Sequence, residues 1–166
     1  HYVRTYLQIR KGAKRADKTL ENMGFISHCD KCGFRNVVFG LAVNIDNKCP
    51  LCGNTTSIGG PLWMGPLHEP GFCDEILQEL DKYHLNQKEK ARKIITLCRN
   101  ELECPTYYDL HRICKRQGIS AIPMDQMIDL LVNNGYRASR THFSGTSFKT
   151  DAGIDVINDI VLSFFK

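Results

Sequence analysis

Long hydrophobic runs are absent from this sequence of 166 residues. A membrane-spanning helix needs about 20 consecutive apolar residues, whereas the most apolar segment, residues 154–165, is too short and contains two aspartates and an asparagine. No signal peptide is recognisable. We therefore expect a cytoplasmic chain without a membrane partner. Because residue 1 is His and not Met, we also expect the chain to be part of a longer protein.

Motifs that bind nucleotides or catalytic metals are absent as well. The sequence contains no glycine-rich phosphate loop, no G-x-G-x-x-G fingerprint and no H-E-x-x-H pair. A nucleophilic cysteine needs a paired histidine, and the spacing of the later cysteines indicates none. We expect no catalytic residue and no residue that binds an organic cofactor in this chain. Four thiols are predicted to be inert: Cys73, Cys98, Cys104 and Cys114.

A strongly basic composition is lacking, although basic charge is concentrated locally. The net charge of +4 and the pI of 8.6 fall short of the values above about 9 that mark nucleic-acid-binding domains. The first 60 residues nevertheless carry nine Lys or Arg against four Asp or Glu, and residues 135–150 carry three basic residues and no acid. Such clusters are typical of solvated faces and of anion-binding surfaces alike, so charge leaves both interpretations open.

Two C-x2-C pairs form the strongest motif. Cys29 pairs with Cys32, and Cys49 pairs with Cys52 after an interval of sixteen residues. Zinc favours four thiolates in a tetrahedron, and a tight turn supplies two of them from each pair. Two local disulfides or free thiols are the alternatives, but disulfides are disfavoured without a secretory signal. We predict a structural zinc ion, because four thiolate ligands leave no position open for water.

The first half of the chain is predicted as a small mixed α/β domain over residues 1–84, with the zinc-binding insertion at about residues 29–52. Alternating bulky and polar residues predict a strand over residues 2–9. A short helix that follows is predicted to end at Gly24 in the left-handed conformation. A segment rich in glycine and proline further on predicts an irregular strand, and its Trp63 is expected in the core.

The second half, residues 85–166, is predicted as a winged-helix-like domain, which makes the whole chain an α+β protein. Three helices followed by a hairpin describe a winged helix. The helices are predicted over residues 86–102, 106–117 and 123–134, and the hairpin strands over residues 136–141 and 148–150. Within the hairpin, Arg137, Ser139 and Thr141 share one face and Arg140 and His142 the other. Such side chains bind phosphates or stack on bases, while packing is the alternative role for an aromatic ring in a wing.

Five separated segments carry a resemblance to a known family. They read HYVR (residues 1–4), KGA (11–13), GPLWMGPLH (60–68), NGYRASRTHF (134–143) and KTDA (149–152). Together they resemble the carboxy-terminal region of tRNA (guanine(26)-N2)-dimethyltransferases, and the resemblance covers essentially the whole chain. The two C-x2-C knuckles are similar to the zinc insertion of archaeal-type members.

The resemblance implies an enzyme that transfers one or two methyl groups from S-adenosylmethionine to N2 of a guanine in tRNA. It places the methyl donor and the target base on an amino-terminal Rossmann-like domain that these residues do not include, so the chain alone is expected to be inactive. The implied partners are tRNA and that missing catalytic domain. The residues carried over are Cys29, Cys32, Cys49 and Cys52 for zinc, and Arg137, Arg140, Thr141, His142 and Lys149 as a candidate RNA-binding face.

Two other functions fit parts of the sequence. Winged helices commonly place their third helix in the major groove of DNA, which predicts a DNA-binding regulator. Against it, the third helix carries Asp125 and Asp129 and no Lys or Arg, a poor surface for reading base edges. A protein-interaction scaffold that holds zinc is the second alternative, and it predicts no affinity for nucleic acid.

Overall fold

The computed structural model describes residues 9–165 and confirms a mixed α+β chain with two small antiparallel sheets. The strand predicted over residues 2–9 lies outside the described residues, apart from Ile9. No helix in the described part is long and apolar enough to cross a membrane. In chain order the elements are α1 (Ala13–Leu20), β1 (Met23–His28), β2 (Arg35–Phe39), β3 (Ser57–Trp63), α2 (Pro70–Leu80), α3 (Lys88–Asn100), β4 (Tyr108–Asp109), α4 (Leu110–Gln117), α5 (Met124–Asn133), β5 (Ala138–Arg140), β6 (Ser147–Thr150) and α6 (Ile154–Ser163).

The first sheet has the strand order β2-β1-β3 with antiparallel pairing throughout. Gly24 does not cap α1 as predicted, because the helix already ends at Leu20 and Gly24 lies within β1. A Cβ atom at Gly24 would lie 2.5 Å from the carbonyl oxygen of Val38. The glycine therefore permits the close approach of β2 to β1.

The irregular strand predicted from the glycine- and proline-rich segment is confirmed as β3, but it contributes no core. Its pairing with β1 shifts register between Gly24 and Ile26, and all seven of its residues are exposed. Trp63 is 41% exposed, so the prediction that it belongs to the core is wrong. Its indole Nε1 donates a hydrogen bond to the carbonyl oxygen of Pro66 at 3.0 Å. The indole N–H therefore has a hydrogen-bond partner three residues further along the chain.

The main core lies in the second half of the chain. A sheet of order β4-β6-β5 packs with α4, α5 and α6 around one hydrophobic cluster. The largest completely buried side chains of this cluster are Leu110, Ile113, Met127, Leu131, Phe148, Ile157 and Val161. Burial of such side chains contributes about 1.5–3 kcal/mol each, so this half supplies most of the hydrophobic stabilisation.

Helix α4 begins later than its sequence pattern predicts. The helix predicted from Thr106 starts at Leu110, because Tyr108 and Asp109 pair with β6 as a short strand. Oδ1 of Asp109 accepts a hydrogen bond from the backbone N–H of Arg112 at 2.8 Å, so Asp109 caps the helix. Helix α4 ends at Gln117, as predicted, and Gly118 follows it in the left-handed conformation with φ 69°.

The cysteine-rich loop packs against the second half of the chain. Gly33, with φ +83°, lies under the guanidinium of Arg116, and a Cβ atom there would lie 2.5 Å from Nη2. The neighbouring Phe34 packs against the main hydrophobic cluster. This contact holds the loop beside α4 and leaves a cleft between them.

Candidate functional site

The two C-x2-C pairs converge at one point. Sγ of Cys29 lies 3.5 Å from Sγ of Cys52, and Sγ of Cys32 lies 3.4 Å from Sγ of Cys49. All four sulfur atoms lie within 4.8 Å of one another, and all four cysteines are free thiols. With Zn–S bonds of about 2.3 Å, a tetrahedral zinc ion separates its sulfur ligands by about 3.8 Å. The donor set and its spacing therefore fit a zinc ion.

Each pair lies on the same kind of turn, which is why the chain can bring two sulfurs together locally. The backbone N–H of Gly33 donates to the carbonyl oxygen of Cys29 at 2.8 Å, and Gly53 donates to Cys49 at the same distance. Gly33 and Gly53 adopt φ values of +83° and +69°. Only glycine adopts this left-handed backbone without strain, so the glycine after each pair allows the turn to form.

Two of the four thiols differ in their readiness to ionise. Burial, with hydrogen bonds from the neighbouring thiols, raises the pKa of Cys32 to about 12. Hydrogen bonds from Asn54 lower the pKa of Cys52 to about 6, and Nδ2 of Asn54 lies 3.2 Å from the sulfur. Thiolates are the form that binds metal. The lowered pKa of Cys52 favours its thiolate before a cation binds, whereas Cys32 would lose its proton when the cation binds.

A cleft of about 710 Å³ lies beside this cysteine cluster. One side comes from the strand and loop that hold the cysteines, and the other comes from α4. The hairpin β5–β6 and the start of β4 close one end. The lining residues are His28, Asp30, Arg35, Tyr107, Tyr108, Asp109, Arg112, Lys115, Arg116, Phe143, Ser144 and Ser147.

Basic side chains outnumber acidic ones in the cleft. The four basic side chains are Arg35, Arg112, Lys115 and Arg116, against Asp30 and Asp109. The carboxylate of Asp109 is engaged, because it caps α4 and accepts a hydrogen bond from the hydroxyl of Thr146 at 2.9 Å. Within residues 9–165, no salt bridge involves any of the four basic side chains. They therefore remain available to an anion.

Aromatic rings stand next to these cations. Tyr107 and Phe143 are 44% and 50% exposed, and their rings meet edge to face with centroids 4.9 Å apart. The guanidinium of Arg35 lies 4.6 Å from the ring centroid of Tyr108. Burial, and after it the charge of Arg35, lowers the pKa of His28. Exposed rings beside cations are the arrangement that stacks on unpaired bases.

None of the five residues predicted from the hairpin to bind RNA lines this cleft. Thr141 and Lys149 are buried, although a role in the candidate RNA-binding face would need both side chains at the surface. The hydroxyl of Thr141 donates to the carbonyl oxygen of Ser144 at 3.1 Å, and Lys149 pairs with Glu101. His142 is half-buried, and its Nδ1 lies 2.8 Å from Oε2 of Glu101.

Arg137 and Arg140 reach the surface, and each is already paired with a carboxylate. Nε of Arg137 lies 2.9 Å from Oδ2 of Asp151, and Nη2 of Arg140 lies 2.6 Å from Oδ1 of Asp125. Exposed ion pairs contribute only about 0–1 kcal/mol, so a phosphate can replace either carboxylate. These two residues remain candidates for an RNA contact outside the cleft.

The cleft itself was missed by sequence reasoning. One signal was present, because Arg112, Lys115 and Arg116 follow each other at intervals that place them close together on a helix surface. Their partner Arg35 lies more than seventy positions earlier in the chain. The packing of the cysteine-rich loop against α4 brings Arg35 opposite the basic residues of α4, and no sequence pattern predicts that contact.

Comparison with known proteins gives a consistent result over nearly the whole chain. Residues 1–162 match the family described as N2,N2-dimethylguanosine tRNA methyltransferase. A tRNA (guanine(26)-N(2))-dimethyltransferase of Methanosarcina mazei is 56% identical over 98% of this chain, and one of Natronomonas pharaonis is 40% identical over 97%. The chain spans 42% and 44% of the length of these two relatives.

A solved structure is also similar. It is described as Trm1 from Pyrococcus horikoshii in complex with S-adenosyl-L-methionine, with a TM-score of 0.76 and 32% sequence identity. The similarity covers 91% of this chain and 38% of that chain.

Proposed function

Since this chain belongs to the family of N2,N2-dimethylguanosine tRNA methyltransferases, we propose that it is the carboxy-terminal, tRNA-binding part of an S-adenosylmethionine-dependent tRNA (guanine(26)-N2)-dimethyltransferase. S-adenosylmethionine supplies the methyl group when it is bound elsewhere in the longer protein, together with the target guanine. The residues of this chain then hold the tRNA and take no part in the transfer step. Its partners are tRNA and the catalytic domain.

The basic and aromatic cleft is the observation that supports this proposal. Its guanidinium and ammonium groups neutralise phosphates, and such contacts dominate affinity for nucleic acid. Tyr107 and Phe143 offer exposed rings on which unpaired bases of a folded RNA stack. A cleft that combines both chemistries suits the single-stranded and looped parts of tRNA better than a uniform duplex.

A structural zinc ion on Cys29, Cys32, Cys49 and Cys52 belongs to the same proposal. The ion would fix the loop that packs on α4 through Gly33 and Phe34. Because His28 and Arg35 flank that loop, the zinc would set one side of the cleft in position. Its role is therefore structural, with no open coordination position for a reacting group.

A winged-helix-like domain over residues 85–166 is part of the same proposal. Its element order from α3 to β6 is helix, strand, two helices and two strands, which suits that fold, with β5 and β6 as the wing. In α5, Asp125 already pairs with Arg140, so α5 is a weak candidate for the nucleic-acid contact. We assign that contact to α4, whose Arg112 and Arg116 line the cleft.

Binding measurements on the purified chain test the proposal. An unmodified tRNA transcript and a duplex DNA of matched length are titrated at two salt concentrations against the wild-type chain and the double variant R112A/R116A. We expect preference for tRNA. The double variant should bind tRNA about tenfold or more weakly, and the slope of log K against log salt should fall by about 2.

A matched control removes the same charge elsewhere. Lys90 and Lys93 are exposed on α3 and do not line the cleft, so K90A/K93A should leave both affinity and salt slope near the wild-type values. Equal losses in the two double variants would mean that only net charge matters, and would contradict a role for the cleft. Stronger binding to DNA would support the regulator instead, and binding to neither would support a protein scaffold.

A further inference from the structure

We propose that the imidazoles of His68 and His142 and the thiol of Cys98 form a second metal site, which binds a divalent ion of the zinc class. The three side chains come from distant parts of the chain: the segment before α2, helix α3 and the hairpin after β5. One ligand atom from each lies within 4.8 Å of the other two. The site shares no residue with the four-cysteine cluster and none with the lining of the cleft.

The spacing of the three side chains suits a common ion. Zinc–nitrogen bonds of about 2.0–2.1 Å and zinc–sulfur bonds of about 2.3 Å separate tetrahedral ligands by about 3.3–3.6 Å. The ligand atoms reach this separation if side-chain rotations move each of them by about 1 Å or less. The rings of His68 and His142 stand at 87° to each other with centroids 5.0 Å apart, so they are not stacked face to face.

Glu101 contacts His142 in the same way that a carboxylate next to a metal site contacts a histidine ligand. Its Oε2 lies 2.8 Å from Nδ1 of His142 and accepts the backbone N–H of the same residue at 2.9 Å. Because Glu101 is also paired with Lys149, its carboxylate is ionised and accepts a hydrogen bond from Nδ1–H of His142. The lone pair of His142 is then on Nε2. This hydrogen bond fixes the tautomer and the orientation of a histidine ligand.

His68 carries a buried nitrogen that the described chain does not satisfy. Its Nε2 is inaccessible to solvent and has no hydrogen-bond partner, and Oε1 of Glu101 lies 3.9 Å away. An unsatisfied buried polar atom destabilises the folded chain, and metal ligation would remove that cost.

A small cavity adjoins two of the three ligands, His68 and Cys98. Its volume is about 20 Å³, and His68, Cys98, Glu101 and Lys149 are among its lining residues. A cavity of at least about 10–15 Å³ holds one water molecule, which suits the fourth ligand of an ion with three protein ligands. The charge of Lys149 is balanced by Glu101, so the ion would meet two neutral imidazoles and one thiolate. Ligation at Cys98 releases the thiol proton.

Zinc stoichiometry measured by mass spectrometry on the purified, zinc-loaded chain tests this site. Cys98→Ser and His68→Gln should each lower the zinc content by about one equivalent relative to the wild-type chain. The test compares the zinc content of each variant with that of the wild-type chain. Its result therefore does not depend on whether the four-cysteine cluster is occupied. After substitution with Co²⁺, Cys98→Ser should also lose the part of the sulfur-to-cobalt charge-transfer band that a single thiolate contributes.

Two matched controls accompany these variants. Cys104→Ser removes a thiol that lines the same cavity, and His84→Gln removes an exposed histidine outside it; both should retain the wild-type zinc content. Unchanged zinc in Cys98→Ser and His68→Gln would overturn the proposal, and so would an equal loss in Cys104→Ser. If Cys98→Ser loses its native circular dichroism, His68→Gln decides alone. Binding to tRNA is a separate readout, because no ligand of this site lines the cleft.

Discussion

Nζ of Lys149 lies 2.9 Å from Oε1 of Glu101, and the two side chains are almost completely buried, at 5% and 1% exposed. Glu101 directly follows α3, whereas Lys149 lies in the central strand of the second sheet. The other carboxylate oxygen accepts the backbone N–H of His142. The Glu101 carboxylate therefore links the end of α3 to two residues of the hairpin, Lys149 and His142. Lys149, which the sequence suggests as an RNA ligand, is a buried cation.

Replacement of Lys149 by Met should destabilise the chain strongly. Removal of the ammonium leaves the Glu101 carboxylate buried without its partner, and breaking one half of a buried ion pair costs about 3–5 kcal/mol. The free energy of unfolding from urea denaturation measures the effect. The double variant E101Q/K149M should recover a large part of that loss, since no buried charge remains. A loss below about 1 kcal/mol in K149M would contradict the structural role of the pair.

The features that sequence predicted well are those whose chemistry is local. The tight turn at each C-x2-C pair and the end of α4 at Gln117 depend on neighbours within a few positions, and the structure contains both as predicted. The mixed α+β class follows in the same way from periodicity along each segment.

The features that sequence could not supply depend on contacts between distant segments. Lys149, which is expected on an RNA-binding face, is buried because it pairs with Glu101, 48 positions earlier in the chain. Trp63 is exposed because all of β3 is, although its apolar neighbours suggest burial. The cleft likewise requires Arg35 to face α4. Each outcome depends on which elements pack together, and local sequence patterns do not predict that packing.

The exposed pair of Arg137 with Asp151 predicts an altered carboxyl titration. Hydrogen bonds from the Arg137 guanidinium lower the pKa of Asp151 below its usual value of about 3.9. Because the folded-state pKa is depressed, the pair stabilises the chain above that usual value, and this contribution is lost as pH falls through the lower folded-state pKa. Titration of the Asp151 carboxyl carbon by NMR should show the low midpoint, and Arg137→Ala should return it toward about 3.9. An unchanged midpoint in the variant would contradict this assignment.

Removal of zinc should loosen the cysteine-rich loop before it affects the main core. Zinc binding contributes about 10 kcal/mol or more to the folding of small zinc modules, and here the loop contains few other buried apolar groups. After chelation, the amides of Gly33 and Gly53 should exchange with solvent more than about tenfold faster, as measured by hydrogen exchange.

Amides in α6 serve as the internal control for that experiment. Ile157 and Val161 of α6 are completely buried in the main cluster, so their exchange should change little on chelation. Equal acceleration in α6 and at the two glycines would mean that the chelator unfolds the whole chain. Unchanged exchange at Gly33 and Gly53 would contradict a structural zinc ion in the loop.

Loss of the exposed ring of Tyr107 should weaken RNA binding without changing its salt dependence. Stacking of one base on an aromatic side chain is worth about 1–3 kcal/mol and involves no counterion release. Tyr107→Ala should therefore bind the tRNA transcript about fivefold to a hundredfold more weakly, with the salt slope of the wild-type chain.

Phe72→Ala provides the matched control, because Phe72 is 57% exposed on α2 and does not line the cleft; its affinity should equal that of the wild-type chain. If Tyr107→Ala lowers the salt slope as well, the ring acts by positioning Arg35, whose guanidinium lies 5.5 Å from its centroid. That outcome would contradict stacking and leave the cleft as a purely electrostatic phosphate site.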